Sequence, residues 1–402
     1  MKRTLFLLLL LLLAVGSFAE KKPKKRIKYW HIDPMLTIAD TIPFDTVHIN
    51  FQEQNLIERH SIANLYNANY GSPIQSKIYS KIENDNDFLF QNAYKPYLLD
   101  IDNAKFYDST FPYTNLTYLT GGKQGQKEEQ IKFAFTAGPS EKFNIGLDLD
   151  YIHSIGQYNL QAAKRFAGDL FGRYSGKHYS AYAYVATNKH SNHENGGLTN
   201  LSLLTNKNVD VKPKDMPIFM HGYSSFTKNL LYYNQAYTIG FNREIKVNKD
   251  SVRTEYVPVT KFGHTLKLEE MKKRYFEPNI VRNYYKNTYD TIHKSFNDTA
   301  ALRSMTNLLS VSLAEEFNKW LKFGMTGYVE NEVQQFIYQK DTILHRTVKS
   351  NTRIGGALTK SRGRLLKYRF LGDIYLVGYK LGEFRLMGNA EGNFHIGKEP
   401  FS

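Results

Sequence analysis

The stretch NIGLDLDY (144–151) decides the fold. Side chains of an extended chain point alternately to opposite sides, so Ile145, Leu147, Leu149 and Tyr151 share one side while Asn144, Gly146, Asp148 and Asp150 share the other. One side requires an apolar medium, the other requires water. Such a strand fits a soluble core as well as the wall of a barrel whose outside touches lipid, and the rest of the chain has to choose between them.

The neighbouring segments repeat the pattern at close intervals. In EQIKFAFTAG (129–138), Ile131, Phe133 and Phe135 oppose Lys132, Ala134 and Thr136, and GPSEK (138–142) turns the chain into the opening stretch to make a hairpin. FAGDLFGRYSG (166–176) and HYSAYAYVAT (178–187) make a second hairpin across SGK (175–177). Further alternating pieces are YYNQAYTIGF (232–241), ALRSMTNLLSVSL (301–313), KWLKFGMTGYV (319–329), SNTRIGGALTK (350–360), LLKYRFLGDIYLVGY (365–379) and GEFRLMGNAEGNF (382–394). Strands of about ten residues match a tilted crossing of a bilayer. The connections alternate between short ones such as GPSEK and SGK and longer ones such as SIGQYNLQAAKR (154–165). Alternation lapses altogether from Asn188 to Asn229, too far for an ordinary connection in a compact soluble domain. Short turns on one side and long loops on the other are the habit of outer-membrane barrels. LEEMKKRYFEPNIVRNYY (268–285) admits either a helix or a strand.

The chain opens MKRTLFLLLLLLLAVGSFAE (1–20): two cations, an apolar run from Leu5 to Val15, then small residues at Ser17 and Ala19. That order is a secretory signal (1–19) cut after Ala19, its apolar run shorter than the roughly 20 residues of a spanning helix. With no cysteine in the chain, lipid attachment at a cysteine, disulfides and thiolate metal sites are all excluded. No later apolar run reaches spanning length, which excludes a helical membrane protein but not a barrel, whose alternating strands average out polar. Aromatic content rests on 29 Tyr and 26 Phe against 2 Trp, and tyrosine suits both strand surfaces and membrane–water boundaries. A net charge of +15 in an exported chain points to anionic lipid or anionic solutes rather than nucleic acid. The run EKKPKKRIK (20–28) reads as a solvated basic tail.

Two longer stretches carry a resemblance. DTVHINFQEQNLIERHSIANLYNANYGSPIQS (45–76), followed by YTNLTYLTGGKQGQKEEQIKFAFTAGPSEKFNIGLDLDYIHSIGQYNLQ (113–161), resembles the "putative porin" family of Bacteroidota, over most of the mature chain. Its motifs are strand-and-turn patterns, not catalytic fingerprints. The resemblance implies an outer-membrane barrel and a pore, and it supplies no active-site residues. The chain stops at GKEPFS (397–402) rather than on a strand with a terminal aromatic, so an incomplete C-terminus is expected, with visible strands that do not close a barrel alone.

Catalytic and cofactor patterns are absent. Neither HGYSSF (221–226) nor RYSGK (173–177) has the Gly-x-Ser-x-Gly shape of a serine hydrolase, and GGKQGQK (121–127) lacks the spacing and final Ser or Thr of a phosphate loop, which leaves a polar turn. His190, His193 and Glu194 in HSNHE are chemically able to bind a divalent metal but read as solvated loop residues. Asp148 and Asp150 share a face like paired acid/base carboxylates, yet that face also points to water in a barrel.

The expected protein is therefore an all-β, antiparallel transmembrane outer-membrane β-barrel with short periplasmic turns and long external loops. An irregular or periplasmic N-terminal segment (20–110) precedes the barrel (111–402). It acts as a porin passing small polar or charged solutes, and it is not an enzyme. Leu147 and Leu149 face outer-membrane lipid, and the water-lining candidates are Lys132, Asp148, Asp150, Asp169, Arg173, Lys367, Arg369 and Asp373. The excess of cations implies a mild anion preference. No cofactor, metal or nucleic-acid partner is expected, and oligomeric state cannot be read. Two alternatives stand beside it: a secreted β-sandwich binding glycans or surfaces, and a hydrolase built on the same barrel.

Overall fold

The structure, a computed structural model, describes residues 27–33, 39–42, 56–67, 69–82, 87–123, 125–205, 210–248, 251–281, 284–285, 295–315, 323–340, 343–360, 366–392, 394–396 and 399–401. The expected signal (1–19), the DTVHINF piece (45–51) and the SRGR turn (361–364) lie outside these residues.

Five short strands come first: β1 (Ile27–Ile32), β2 (Ala39–Ile42), β3 (Asn64–Tyr66), β4 (Ile74–Ser76) and β5 (Phe106–Ser109). Twelve longer ones follow: β6 (Tyr113–Gly121), β7 (Glu128–Ser140), β8 (Phe143–Ser154), β9 (Ala163–Ser175), β10 (Tyr179–Glu194), β11 (Gly222–Asn248), β12 (Ser251–Glu277), β13 (Phe296–Leu313), β14 (Gly324–Lys340), β15 (Ile343–Lys360), β16 (Leu366–Gly378) and β17 (Phe384–Gly392). Strands β6 to β17 form one 12-stranded antiparallel meander in which every strand pairs with its neighbours in sequence. Among the described residues helix is confined to a few short turns. The all-β antiparallel expectation thus holds, but the sheet is not closed into a barrel: β6 and β17 are its edges and do not pair with each other.

The sheet curls nonetheless. One cavity is lined both by Tyr232 of β11 and by Arg385 of β17, strands that a flat sheet would hold about 29 Å apart at about 4.8 Å per strand. On the inside of that curl lies the N-terminal segment. Strands β2, β1 and β5 make a three-stranded sheet of their own, and Ile32, Phe106 and Tyr107 from it pack on Phe171, Tyr182, Tyr184 and Tyr232 of the large sheet. Phe88, Tyr94 and Leu98 pack on Phe226, Met271 and Leu302, with the Tyr94 and Phe226 rings stacked at 4.8 Å. Ile57, Ile74 and Tyr97 meet Ile152. The described parts of the irregular N-terminal segment that precedes the large sheet therefore fill its concave side.

The connections do not sort by length as the sequence implied: the end of the sheet that carries 141–142 and 176–178 also carries the ten residues between β13 and β14, and the end that carries 155–162 and 195–221 also carries the two between β14 and β15. Two expectations about strands need correction. Asn188–Asn229 is not one long loop, because β10 continues to Glu194 and β11 begins at Gly222. Alternation is lost to the eye there because outward Lys189 and Ser191 are as polar as inward Asn188 and Asn192, which the N-terminal segment buries. The ambiguous 268–285 stretch resolves as strand through Glu277. Strands also exceed ten residues, with 27 each in β11 and β12, so this hairpin extends past any bilayer.

Candidate functional site: the two faces of the wall

Register fixes which residues share a face. Phe143 pairs with Tyr174, Ile145 with Gly172, Leu147 with Leu170, Leu149 with Gly168 and Tyr151 with Phe166. On this outer face, aromatic rings close both ends of an aliphatic stretch. Phe143 to Tyr151 spans about 26 Å along the strand, shortened by tilt to roughly the height of a barrel's apolar band with its aromatic girdles. Nothing among the described residues covers it: Leu170 is 55% exposed, and Leu309, Val329, Ile354 and Phe370 extend the same exposed band around the sheet. A sandwich would bury these side chains against a second sheet.

The inner face is the reverse. Following the pairs from β7 to β16 brings all eight water-lining candidates to this one face, although their surroundings differ. Asp150 pairs with Arg165 at 2.7 Å and accepts from Gln130 Nε2 at 2.8 Å, while Arg165, 2% exposed, also donates to the Tyr97 carbonyl of the N-terminal segment. Asp169, opposite Asp148 in register, accepts from the Tyr184 hydroxyl at 2.9 Å and from the Asp148 amide at 3.1 Å. Arg173 lies 3.6 Å from Asp108 and 5.1 Å from the Trp30 ring centroid. Arg369 pairs with Asp33. Lys132 is half-buried opposite Asp150, and Lys367 is exposed near the start of β16. Only Asp373 lines a sizeable cavity.

Asn144 completes the opening stretch: its Oδ1 accepts from the Ser109 amide at 3.0 Å. Gly146 has a packing reason, since a Cβ there would stand 2.2 Å from Phe171 Cζ and 2.5 Å from the Phe135 carbonyl oxygen. Both positions seat the N-terminal segment or the rings beneath it.

Among the described residues, two connected cavities lie between the segment and strands β11–β17. The larger, about 320 Å³, is lined by Asp87 of the N-terminal segment and by Lys267, Glu330, Glu332, Arg353, Asp373, Lys380, Glu383 and Arg385. The smaller, about 190 Å³, is lined by Asp100 and Asp102 of the segment and by Lys228, Glu269 and Gln334, and it shares Asp87, Lys267 and Glu332 with the first. Ion pairs stitch these walls: Arg353 to Glu330 at 2.8 Å, Arg385 to Asp373, Lys380 to Asp87 at 2.9 Å, Lys267 to Glu269 at 2.8 Å, and Lys228 to both Glu269 at 3.1 Å and Asp100. Sequence reading missed most of them. A usable signal existed in Glu330, Glu332 and Gln334, which alternate with Val329, Asn331 and Val333. Lys267 and Glu269 alternate likewise, but one adjoins and the other opens the stretch that also reads as helix.

The His190–Glu194 cluster is not a loop. His190 is buried 4.8 Å from the Tyr94 ring, whereas His193, on the opposite face of β10, lies 4.5 Å from Tyr223, so the two imidazoles cannot share an ion. GGKQGQK is the β6–β7 turn, with Gly122 and Gly125 at φ of +83° and +85°, a backbone that favours glycine.

An antiparallel meander that is oily outside and ion-paired inside has the construction of an outer-membrane β protein. The chain belongs to the family described as "Putative porin", whose model matches residues 26–401. That membership implies an outer-membrane location. No curated protein and no solved structure matches the chain.

Proposed function

We propose that the protein is an outer-membrane porin whose wall, closed in the bilayer, lets small polar or charged solutes diffuse passively through a lumen narrowed by its own N-terminal segment. The observation that carries this reading is the sorting of faces: exposed aliphatic and aromatic side chains outside, ion pairs and water-accessible cavities inside. Both sheet edges need partners in hydrocarbon, because each unpaired backbone group there costs several kcal/mol. The outer-membrane lipid solvates the outer face, and no cofactor and no covalent chemistry enter the mechanism. Solutes are screened by width and by charged side chains such as Asp373. The net charge of +15 supports an anion preference only if the excess cations line the lumen, and the cavity walls pair their cations with carboxylates.

The test is reconstitution of the signal-free chain into planar bilayers, with gel mobility measured before and after boiling. Stepwise conductance together with a heat-dependent mobility shift is expected. A monomer soluble without detergent that never conducts overturns the reading.

A further inference from the structure

The proposed lumen contains a charge imbalance opposite in sign to that of the whole chain. In the two cavities that share Asp87, Lys267 and Glu332, the ion pairs cancel one another: Arg353 and Arg385 against Glu330 and Asp373, Lys380 against Asp87, and Lys228 and Lys267 against Asp100 and Glu269. After this cancellation three carboxylates remain on the cavity walls with no cation at ion-pair distance among the described residues, Glu332, Glu383 and Asp102, against one further cation, Lys95, on the smaller cavity, so the walls stay net negative. They come from three different elements: β14, the β16–β17 turn and the N-terminal segment. Asp373 adds a second observation. Its side chain is 1% exposed and its Oδ1 has no hydrogen-bond donor, Arg353 standing off at 3.8 Å, so the larger cavity presents a buried acceptor without a donor. A cationic or N–H-bearing solute supplies what these groups lack.

We infer that the path between the N-terminal segment and strands β11–β17 is a cation-preferring filter, with Glu332, where the two cavities meet, as its specificity-determining residue. The inference rests on the porin reading. It assigns the solute class as small cations and amine-bearing molecules, and it replaces the anion preference that total charge implies. Glu332 suits the role because it holds no ion pair that keeps the fold together, so its charge is free to act on the path.

The experiment is the reversal potential of the full mature chain in planar bilayers under a potassium chloride gradient, for the native protein, Glu332→Gln, Glu332→Lys and the control Lys189→Gln on the outer face. The native channel is expected to favour potassium, Glu332→Gln to move the reversal potential toward that of chloride, Glu332→Lys to move it further, and the control to leave it in place. Heat-dependent gel mobility confirms that each variant is folded. A channel that conducts but favours chloride, or whose reversal potential ignores both changes at Glu332, overturns the filter and leaves the porin reading standing. Absence of conductance in folded native protein overturns both.

Discussion

At the scale of single residues, the account turns on what each side chain of the opening stretch meets. Leu147 and its register partner Leu170 face outward with no protein over Leu170, so a cation placed there must leave water for hydrocarbon. Leu170→Arg is expected to destabilise the protein in phospholipid vesicles by about 2–4 kcal/mol, read from denaturant unfolding. On a soluble sheet the same exposed change falls within about 0.5 kcal/mol. Gly146→Val drives a side chain into Phe171 and the β7 backbone and is expected to cost about 1–3 kcal/mol by the same measurement. Asp102 behaves oppositely. Asp102 is reached by solvent, yet partial desolvation against the wall and the Asp100 carboxylate push its pKa up, against the pull of Lys267, Lys228 and Lys95. Because its folded pKa lies above the unfolded value near 3.8, ionising it costs stability as pH rises from that value through the raised one. Asp102→Asn is therefore expected to stabilise the protein at neutral pH and to make no difference below the unfolded pKa. A stability gain that persists in acid would contradict the burial argument.

At the scale of elements, the N-terminal segment is held to the wall by a consistent polarity: Asp33, Asp87, Asp100 and Asp108 on the segment meet Arg369, Lys228 and Arg173 on the strands and Lys380 in the β16–β17 turn. Asn188 adds a backbone clasp, accepting from the Leu99 amide at 2.8 Å and donating to its carbonyl at 2.9 Å. Replacing Lys228 by Met leaves Asp100 without its buried cation and Glu269 with Lys267 alone, and truncation of one partner in such a group costs about 3–5 kcal/mol. Limited proteolysis is expected to release the segment in this variant long before it cuts the sheet. Cleavage at the native rate would mean that the clasp and apolar contacts suffice. This docking was the part of the fold least legible in sequence. Strands such as β8 and β9 were readable because one face is aliphatic and the other is not. The partner of the inner face was not, because contacts such as Tyr94 on Phe226 join residues far apart in the chain and leave no local period. For the same reason alternation alone puts the eight charged candidates on one shared face. Whether each meets water or a residue of the segment depended on a layer that alternation cannot reveal.

At the scale of the whole molecule, the meander ends in two free edges, β6 and β17, each 9 residues long. In water an unpaired edge is tolerable, but in a bilayer it is not. Amide hydrogen exchange of the reconstituted protein is expected to protect β6 and β17 as strongly as β8, because closure pairs their backbone groups. Rapid exchange at both edges in a conducting preparation would contradict a closed wall. Everything above depends on the medium against which the outer face rests. The most direct measurement replaces Trp30 and Trp320 by Phe, introduces a single Trp at Leu149 or at Lys132, and reconstitutes each variant into vesicles with brominated acyl chains. Fluorescence at position 149 should be strongly quenched and that at position 132, on the inner face, should not; equal quenching at both, or none at either, would contradict the account.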